Sequence, residues 1–193
     1  MLLLTSILIS AMSFAQQSYK DSIHAYIKNY IDKHDVVEGE DKKLLNFYPV
    51  NKIYRVVARF ERAKDGKWFS METSGTQKKV FRVYGTIYFT IHDTAIQLNI
   101  YQSQSLMTRD EYKDYLFLPF TDLTSGEETY ASGRYIDFTF KDIIDNKVVI
   151  DFNRAYNPSC AYVSGKYNCP IPPRENNLSV VILAGEKNYA KQH

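Results

Sequence analysis

Apolar residues near the start of the chain repeat at helical spacing. Five of them share one face: Ile23, Tyr26, Ile27, Tyr30 and Ile31. Lysine, asparagine and aspartate side chains occupy the opposite face, a pattern typical of an amphipathic helix that covers an apolar surface. Ser18 or Asp21 can cap the start of this helix, and the Gly39 region ends it. The pattern predicts one N-terminal helix.

The pattern then changes to the alternation typical of β-strands. The clearest case is a hairpin that turns at His92-Asp93-Thr94, with alternating apolar residues on either side: Ile87, Phe89 and Ile91, then Ile96, Leu98 and Ile100. Six further segments are predicted as strands: Ile53–Glu61, Lys67–Thr73, Tyr115–Phe120, Tyr135–Phe140, Lys147–Phe152 and Leu178–Leu183. The turn pair Asp65-Gly66 would return the second segment against the first, and Tyr135–Phe140 could form a hairpin with Lys147–Phe152.

Short connections between these strands favour an antiparallel meander. The predicted fold class is therefore mainly β, a barrel-like or sandwich meander of about eight strands with one N-terminal amphipathic helix. No repeat or linker divides the chain, so we expect a single domain over residues 16–193.

Residues 1–15 are expected to be a signal peptide. The apolar run from Leu2 to Met12 is followed by Ser13-Phe14-Ala15, a small-x-small pattern that predicts cleavage between Ala15 and Gln16. The run is too short for a membrane span, which needs about 20 apolar residues. The alternative is a buried N-terminal strand or helix. The favoured interpretation predicts a periplasmic or secreted protein.

The charge balance argues against a nucleic-acid partner. The 193 residues include 24 Lys and Arg and 22 Asp and Glu, for a net charge of +2 without a dense basic run. Aromatic residues make up 15% of the chain, and 16 of them are tyrosines, which suits strands with a solvated face. No segment after the N-terminal run is long enough for a helical membrane span. The oligomeric state stays open.

Long, unusual strings of residues in the second half of the chain carry a family resemblance. The most specific are Asp151-Phe152-Asn153-Arg154-Ala155-Tyr156-Asn157-Pro158 and Cys169-Pro170-Ile171-Pro172-Pro173-Arg174-Glu175-Asn176. Together with Asn46-Phe47-Tyr48-Pro49 and the segment Gly85–Phe89, they resemble the bacterial and archaeal family known as domain of unknown function 1684. The resemblance covers nearly all of the chain after residue 15, and it implies no established activity.

Cys160 and Cys169 enclose eight residues. In an exported protein such a pair is first interpreted as a disulfide. A zinc site is the second interpretation, with His92 or Glu175 as further ligands, but the spacing lacks the Cys-x-x-Cys pattern that zinc sites commonly use. A nucleophilic thiol is the third, and no histidine lies near either cysteine in sequence. We therefore expect a disulfide and no metal.

The same strings are rich in side chains that can bind a small polar ligand, because arginine presents a planar fork of donors while asparagine and tyrosine orient polar groups. The candidate ligand-binding residues are Glu128, Tyr130, Arg134, Asp137, Asp151, Asn153, Arg154, Tyr156, Asn157, Glu175 and Asn176. If they gather at one end of a barrel they would form a polar site on an apolar scaffold. The alternative is structural, since asparagine and aspartate also satisfy loop backbone and Arg–carboxylate pairs hold loops in place.

An enzymatic alternative uses paired carboxylates. Glycoside hydrolases place two carboxyl groups about 5–9.5 Å apart, and Glu128, Asp151 and Glu175 are the candidates for such roles. Motifs for serine hydrolases, zinc proteases, phosphate loops and dinucleotides are missing from the sequence, so we expect no cofactor. A third possibility is a structural or interaction protein without a ligand site.

Overall fold

The computed structural model describes residues 2–191, and the side chains of residues 16–191. Its first element is helix α1, Leu2–Asp32. The N-terminal helix is confirmed, but it ends ahead of Gly39, and neither Ser18 nor Asp21 caps its start because the backbone is already helical before them. The predicted signal peptide, residues 1–15, lies outside the described side chains, so its cleavage stays a prediction.

Eight strands follow the helix: β1 Arg55–Arg62, β2 Phe69–Met71, β3 Lys79–Ile91, β4 Thr94–Ser103, β5 Tyr115–Phe120, β6 Arg134–Thr139, β7 Ile143–Ile144 and β8 Lys147–Asp151. They form one antiparallel sheet in the order β6-β5-β4-β3-β1-β8-β7, and β2 pairs with β3. The prediction of a mainly β chain of about eight strands with one N-terminal helix is confirmed. The sheet is not closed into a barrel.

The β3–β4 hairpin has the predicted turn. His92 and Asp93 adopt φ values of 48° and 60°, and Ile91 pairs with Thr94 across them. Two consecutive positive φ angles match the right-handed twist of the strands that such a turn connects. The apolar face predicted for this hairpin is buried, as Ile87 and Ile100 at 0% exposure show.

Two predicted strand pairings are wrong. The segment around β2 pairs with β3 instead of β1, and β6 pairs with β5 instead of β8. In both cases the expected partner strand is occupied on both edges, because β1 lies between β3 and β8, and β8 lies between β1 and β7. The short β7 is joined to β8 by a tight turn with positive φ at Asp145 and Asn146, and this local hairpin fills the edge that β6 would have needed.

The predicted strand Leu178–Leu183 is also wrong in its backbone bonding. Its side chains alternate as a strand requires, with Leu178, Val180 and Ile182 buried in the core. Its backbone groups, however, bond to loop and side-chain partners instead of a neighbouring strand. Ile182 N–H donates to Asp122 Oδ2 over 2.8 Å, and its carbonyl accepts from Arg134.

The main hydrophobic core lies on one face of the sheet. Alternate residues of β1, β3, β4, β5, β6 and β8 meet there, and the C-terminal segment 178–184 covers them. A smaller aromatic cluster lies on the opposite face toward the β6 end and contains Met71, Phe81, Tyr101, Phe117 and Tyr135. The two clusters use opposite faces of the same strands because successive side chains alternate. Across the described residues, none of the helices has the length and apolar character that spanning a membrane requires.

Candidate functional site

A cleft of about 460 Å³ opens where β6 and β8 approach each other without pairing. The polar groups in its walls are carboxylates, tyrosines, one arginine and one threonine: Asp137, Asp142, Asp151, Tyr26, Tyr112, Tyr115, Tyr156, Arg154 and Thr139. Its volume falls in the range of ligand pockets. Four of the predicted site residues meet here: Asp137, Asp151, Arg154 and Tyr156.

The cleft is bounded on one side by a short backbone bridge. Tyr135 N–H donates to the Tyr156 carbonyl over 2.9 Å, and Tyr156 N–H donates back to the Tyr135 carbonyl over 3.1 Å. Because residues two apart on a strand share a face, Asp137 lies on the same side of β6 as Tyr135, next to the ring of Tyr156. This bridge is the closest that the β6 edge comes to pairing with the chain that leaves β8.

Asp137 is the polar centre of this cleft. Its Oδ1 accepts hydrogen bonds from the hydroxyls of Tyr115 at 2.7 Å and Tyr156 at 2.8 Å. Its Oδ2 has no hydrogen-bond partner among residues 16–191, and the side chain is exposed to solvent through the cleft mouth. The two tyrosines therefore fix the orientation of the carboxylate and leave one oxygen free to accept from a bound molecule.

Asp137 is surrounded by protein on most sides even though it reaches solvent. This loss of surrounding water raises the pKa of Asp137, while the hydrogen bonds from Tyr115 and Tyr156 and the charge of Arg154 act in the lowering direction. The same enclosure raises the pKa of Tyr115 and Tyr156, so both hydroxyls keep their protons and remain donors. Carboxylates with a raised pKa occur at ligand-binding sites and also in structural networks.

Tyr26 of helix α1 and Arg154, in the 3-10 turn that follows β8, together form another wall of the cleft. The guanidinium of Arg154 lies 4.4 Å from the centre of the Tyr26 ring, and the Tyr26 hydroxyl is 3.3 Å from the Arg154 carbonyl oxygen. Arg154 is exposed and makes no ion pair within 4 Å in the described part of the chain. Its charge thus faces solvent and the cleft without neutralising a particular carboxylate.

Asp151 and Asn153 are used to hold helix α1. The hydroxyl of Tyr19 lies 3.0 Å from both carboxylate oxygens of Asp151, and the Asn153 amide bonds to Tyr19, to Asp151 and to the backbone of Asn51. Asn153 is 2% exposed, and both ends of its amide are satisfied. Of these two predicted site residues, only Asp151 lines the cleft.

Two further cavities continue the cleft along the tyrosines. Tyr156 lines all three, and Tyr115 also lines the second, a more apolar cavity of about 230 Å³ that includes Phe81 and Phe117. The third, of about 480 Å³, contains Asn157 and lies beside the end of helix α1. Lys79 is shared by the second and third cavities, and burial lowers its pKa.

Glu186 is a buried acid that was not among the predicted site residues. It accepts from the Tyr162 hydroxyl at 2.7 Å, the Tyr30 hydroxyl at 3.1 Å and the Asn157 backbone N–H at 2.8 Å. Burial raises the pKa of Glu186 to about 7. Gly185, with φ 78°, places it there, since a Cβ at that position would lie 2.6 Å from the Phe152 carbonyl oxygen. The spacing of Gly185 and Glu186 in the sequence does not predict these hydrogen bonds, because the partners lie far from them along the chain.

Arg134 is placed in the interior instead of the cleft. Its side chain is 0% exposed, pairs with Asp122 and donates to the carbonyls of Ile182, Ala184 and Glu186. Burial lowers the pKa of Arg134, and the charge of Asp122 opposes that change. Apart from the Nη2 donation to Asp122, the described donations from its two terminal nitrogens go to the C-terminal segment, which favours the structural interpretation for this residue.

Asn176 and Asn157 also serve the backbone. Asn176 is 0% exposed and exchanges hydrogen bonds with both backbone groups of Asn99, and it donates to the Pro119 carbonyl. Asn157 donates to the Lys187 carbonyl, while its Oδ1 is buried without a partner among the described residues. Asn176 therefore behaves as a loop staple, and Asn157 lines the third cavity.

Glu128, Tyr130 and Glu175 do not join the cleft. Glu128 is exposed and pairs with Lys187 at 3.1 Å. Glu175 is exposed in a short 3-10 turn, and Tyr130 is half-buried in the loop before β6. Three carboxylates were considered for hydrolysis: Glu128, Asp151 and Glu175. No described cavity contains two of them, and only Asp151 lines the cleft. This geometry gives no support to a hydrolase that uses two of them.

Cys160 and Cys169 are at disulfide distance, with 2.11 Å between their Sγ atoms. The bridge closes the loop that forms one wall of the third cavity. Among residues 16–191, no group of three or more His, Cys, Asp or Glu side chains has the arrangement of a metal site.

Comparison with known proteins places the chain in a family. A solved structure that resembles it is the solution NMR structure of an uncharacterised protein of Haloarcula marismortui, with 25% identity, a TM-score of 0.67, and coverage of 92% of this chain and 98% of that one. No curated protein matches the chain. The profile of the family described as protein of unknown function, DUF1684, matches residues 42–187. The chain belongs to the DUF1684 family.

Proposed function

We propose that this protein is an exported binding module that holds a small polar ligand in the cleft between β6 and β8. The observation that carries the proposal is the Asp137 carboxylate: two tyrosine hydroxyls bind its Oδ1, its Oδ2 has no hydrogen-bond partner among residues 16–191, and the residue is exposed to solvent. The cleft wall is concave, and five of its twelve lining residues are aromatic; a preoriented acceptor in such a wall is a common composition of a small-molecule site. The cysteine pair is compatible with an oxidising compartment.

The cleft is built on rigid elements, which supports a binding role. Asp137 lies on β6, Tyr115 on the neighbouring β5, and Tyr156 is held by its backbone bridge to β6. A site whose polar groups are fixed before binding loses little conformational entropy when the ligand arrives. The geometry needs no rearrangement of the sheet to admit a molecule.

The test is a thermal-shift and calorimetric screen of the full chain against choline, glucose, glycylglycine and inorganic phosphate. We expect at least one compound to raise the melting temperature. Asp137→Asn and Tyr156→Phe should reduce that shift by more than half while leaving the melting temperature of the free protein nearly unchanged. Tyr84→Phe is the matched control, because the Tyr84 ring stacks on Phe140 at 4.9 Å and does not line the cleft.

The proposal would be wrong if no compound in the screen raised the melting temperature of the protein. It would also be wrong if Asp137→Asn and Tyr156→Phe bound a compound as tightly as the unmodified chain, since the ligand would then occupy another surface.

A further inference from the structure

The walls of the cleft between β6 and β8 carry an excess of negative charge. Asp137, Asp142 and Asp151 line it with one arginine, Arg154, and Asp151 also forms an ion pair at 3.9 Å with Arg55, which does not line the cleft. Asp142 is held at the rim by the backbone and hydroxyl of Thr139, at 2.6 and 2.9 Å. With all three carboxylates ionised and Arg55 counted with Asp151, the net formal charge is −1, which repels anionic ligands and attracts cations.

Asp137 is left without a cationic partner by the protein itself. No ion pair within 4 Å reaches it from the part of the chain that the structure describes, and its two partners, Tyr115 and Tyr156, are neutral donors on a single oxygen. Arg154 lies over the ring of Tyr26 instead. The free Oδ2 therefore offers a charge-assisted hydrogen bond to a positively charged group, which is stronger than a bond between neutral groups.

Four tyrosines line the cleft together with this carboxylate, and two of them, Tyr115 and Tyr156, contact it directly; the other two are Tyr26 and Tyr112. The face of an aromatic ring attracts a cation, and a ring of aromatic side chains with a nearby acid is a common way of binding ammonium groups. Tyr26 already binds the Arg154 guanidinium in this manner, at 4.4 Å. The cleft thus combines two independent features, a free carboxylate oxygen and aromatic walls, that select the same chemistry.

We propose that the ligand of this cleft is an organic cation whose ammonium group lies between Asp137 and the tyrosine rings. The inference rests on the proposed binding function and adds the class of ligand. An anion would face the carboxylates of Asp137 and Asp142, which form no ion pair within 4 Å among the described residues, and a neutral polyol would gain nothing from the charge of the walls. The adjoining apolar cavity beside Phe81 and Phe117 leaves room for a nonpolar part of the same molecule.

The experiment compares choline with 3,3-dimethylbutan-1-ol, a neutral molecule of the same shape, by calorimetry on the full chain at constant ionic strength. Choline should bind at least about tenfold more tightly than the neutral alcohol, and added salt should weaken its binding. Asp137→Asn should reduce choline affinity by at least about tenfold. Glu127→Gln, which removes one negative charge from an exposed loop position outside the cleft, should leave it unchanged.

A second variant keeps the test decisive if Asp137→Asn perturbs folding. Tyr112 is 39% exposed at the rim, so Tyr112→Leu removes an aromatic wall without opening the core, and it should weaken choline several-fold while sparing the alcohol. The inference that the ligand is a cation would be wrong if choline and the alcohol bound with equal affinity. It would also be wrong if both variants bound choline as tightly as the unmodified protein. If glucose or phosphate bound in an Asp137-dependent manner and choline did not, the inference would fail while the binding function stood. If none of the compounds bound, both the cation inference and the proposed binding function would be wrong.

Discussion

Arg134 and Asp122 form an ion pair in which both side chains are completely buried, with 3.2 Å between Nη2 and Oδ1. The pair joins the start of β6 to the loop after β5, and both partners also bind the C-terminal segment through Ile182. The pair therefore takes the place of a strand neighbour for that segment. This explains why residues 178–184 cover the core without being part of the sheet.

Breaking this pair should destabilise the protein strongly. Arg134→Met leaves the Asp122 carboxylate buried without its cation, and removal of one partner of a buried pair costs about 3–5 kcal/mol of unfolding free energy. Urea unfolding followed by circular dichroism measures this loss. Arg174→Met, at an exposed position, is the control and should change stability by less than about 0.5 kcal/mol. A fully stable Arg134→Met protein would contradict the structural role.

Asn176 should act as a staple instead of a ligand contact. Asn176→Ala leaves the backbone groups of Asn99 and the Pro119 carbonyl without their partner, and each unsatisfied buried group costs about 1–3 kcal/mol. We expect a clear fall in melting temperature. Asn177→Ala, one residue along and exposed, removes a single side-chain bond to Thr121 and should have a small effect. Equal effects of the two variants would argue against the staple.

Glu186 should make stability depend on pH. The pKa of Glu186 is about 7 in the folded protein, above its ordinary value of 4.5 in the unfolded chain. Between these two pH values the folded protein keeps a proton on Glu186 that the unfolded chain has released. The unfolding free energy therefore falls as pH rises through this window, because the folded state binds more protons. Glu186→Gln lacks the titrating group, so its stability relative to the unmodified protein should increase from about pH 5 to pH 7 and then level off.

The comparison with Glu186→Gln also separates this effect from His34. Burial lowers the pKa of His34, so ionisation of this residue favours the unfolded state as pH falls, which is the opposite sign. That contribution is present in both proteins and cancels in their difference. Urea unfolding of both proteins across this pH range measures the difference, and a difference independent of pH would show that Glu186 titrates at its ordinary value.

The Cys160–Cys169 bridge should stabilise the fold. Replacing both cysteines with serine opens the short loop, and the chain-entropy relation gives a loss of about 2–3 kcal/mol. Thermal unfolding with and without a reducing agent provides the measurement. Reductant should lower the melting temperature of the unmodified protein toward that of the double variant and leave the variant unchanged. Identical melting temperatures for the oxidised protein and the variant would contradict a stabilising bridge.

The sequence by itself determined the local structure and the family. Helical spacing located helix α1 and its buried Ile23, and period-two alternation located the β3–β4 hairpin and the bounds of β5, because these patterns depend on neighbours in the chain. Even the segment 178–184, which is not a strand, shows the predicted alternation of burial. The strings of unusual residues were enough to indicate the DUF1684 family.

Only the tertiary structure decided which strands pair and which polar residues share a cavity. Strand pairing depends on which edges are already occupied, a property of the whole sheet, so β6 and β8 ended as two edges of a cleft instead of a hairpin. The predicted charged and amide side chains then differ in burial. Arg134 and Asn176 went to the interior, where a buried polar group must find partners, while Asp137 and Arg154 kept access to water. Residue type alone cannot make that division, because an arginine or an aspartate can serve in either place.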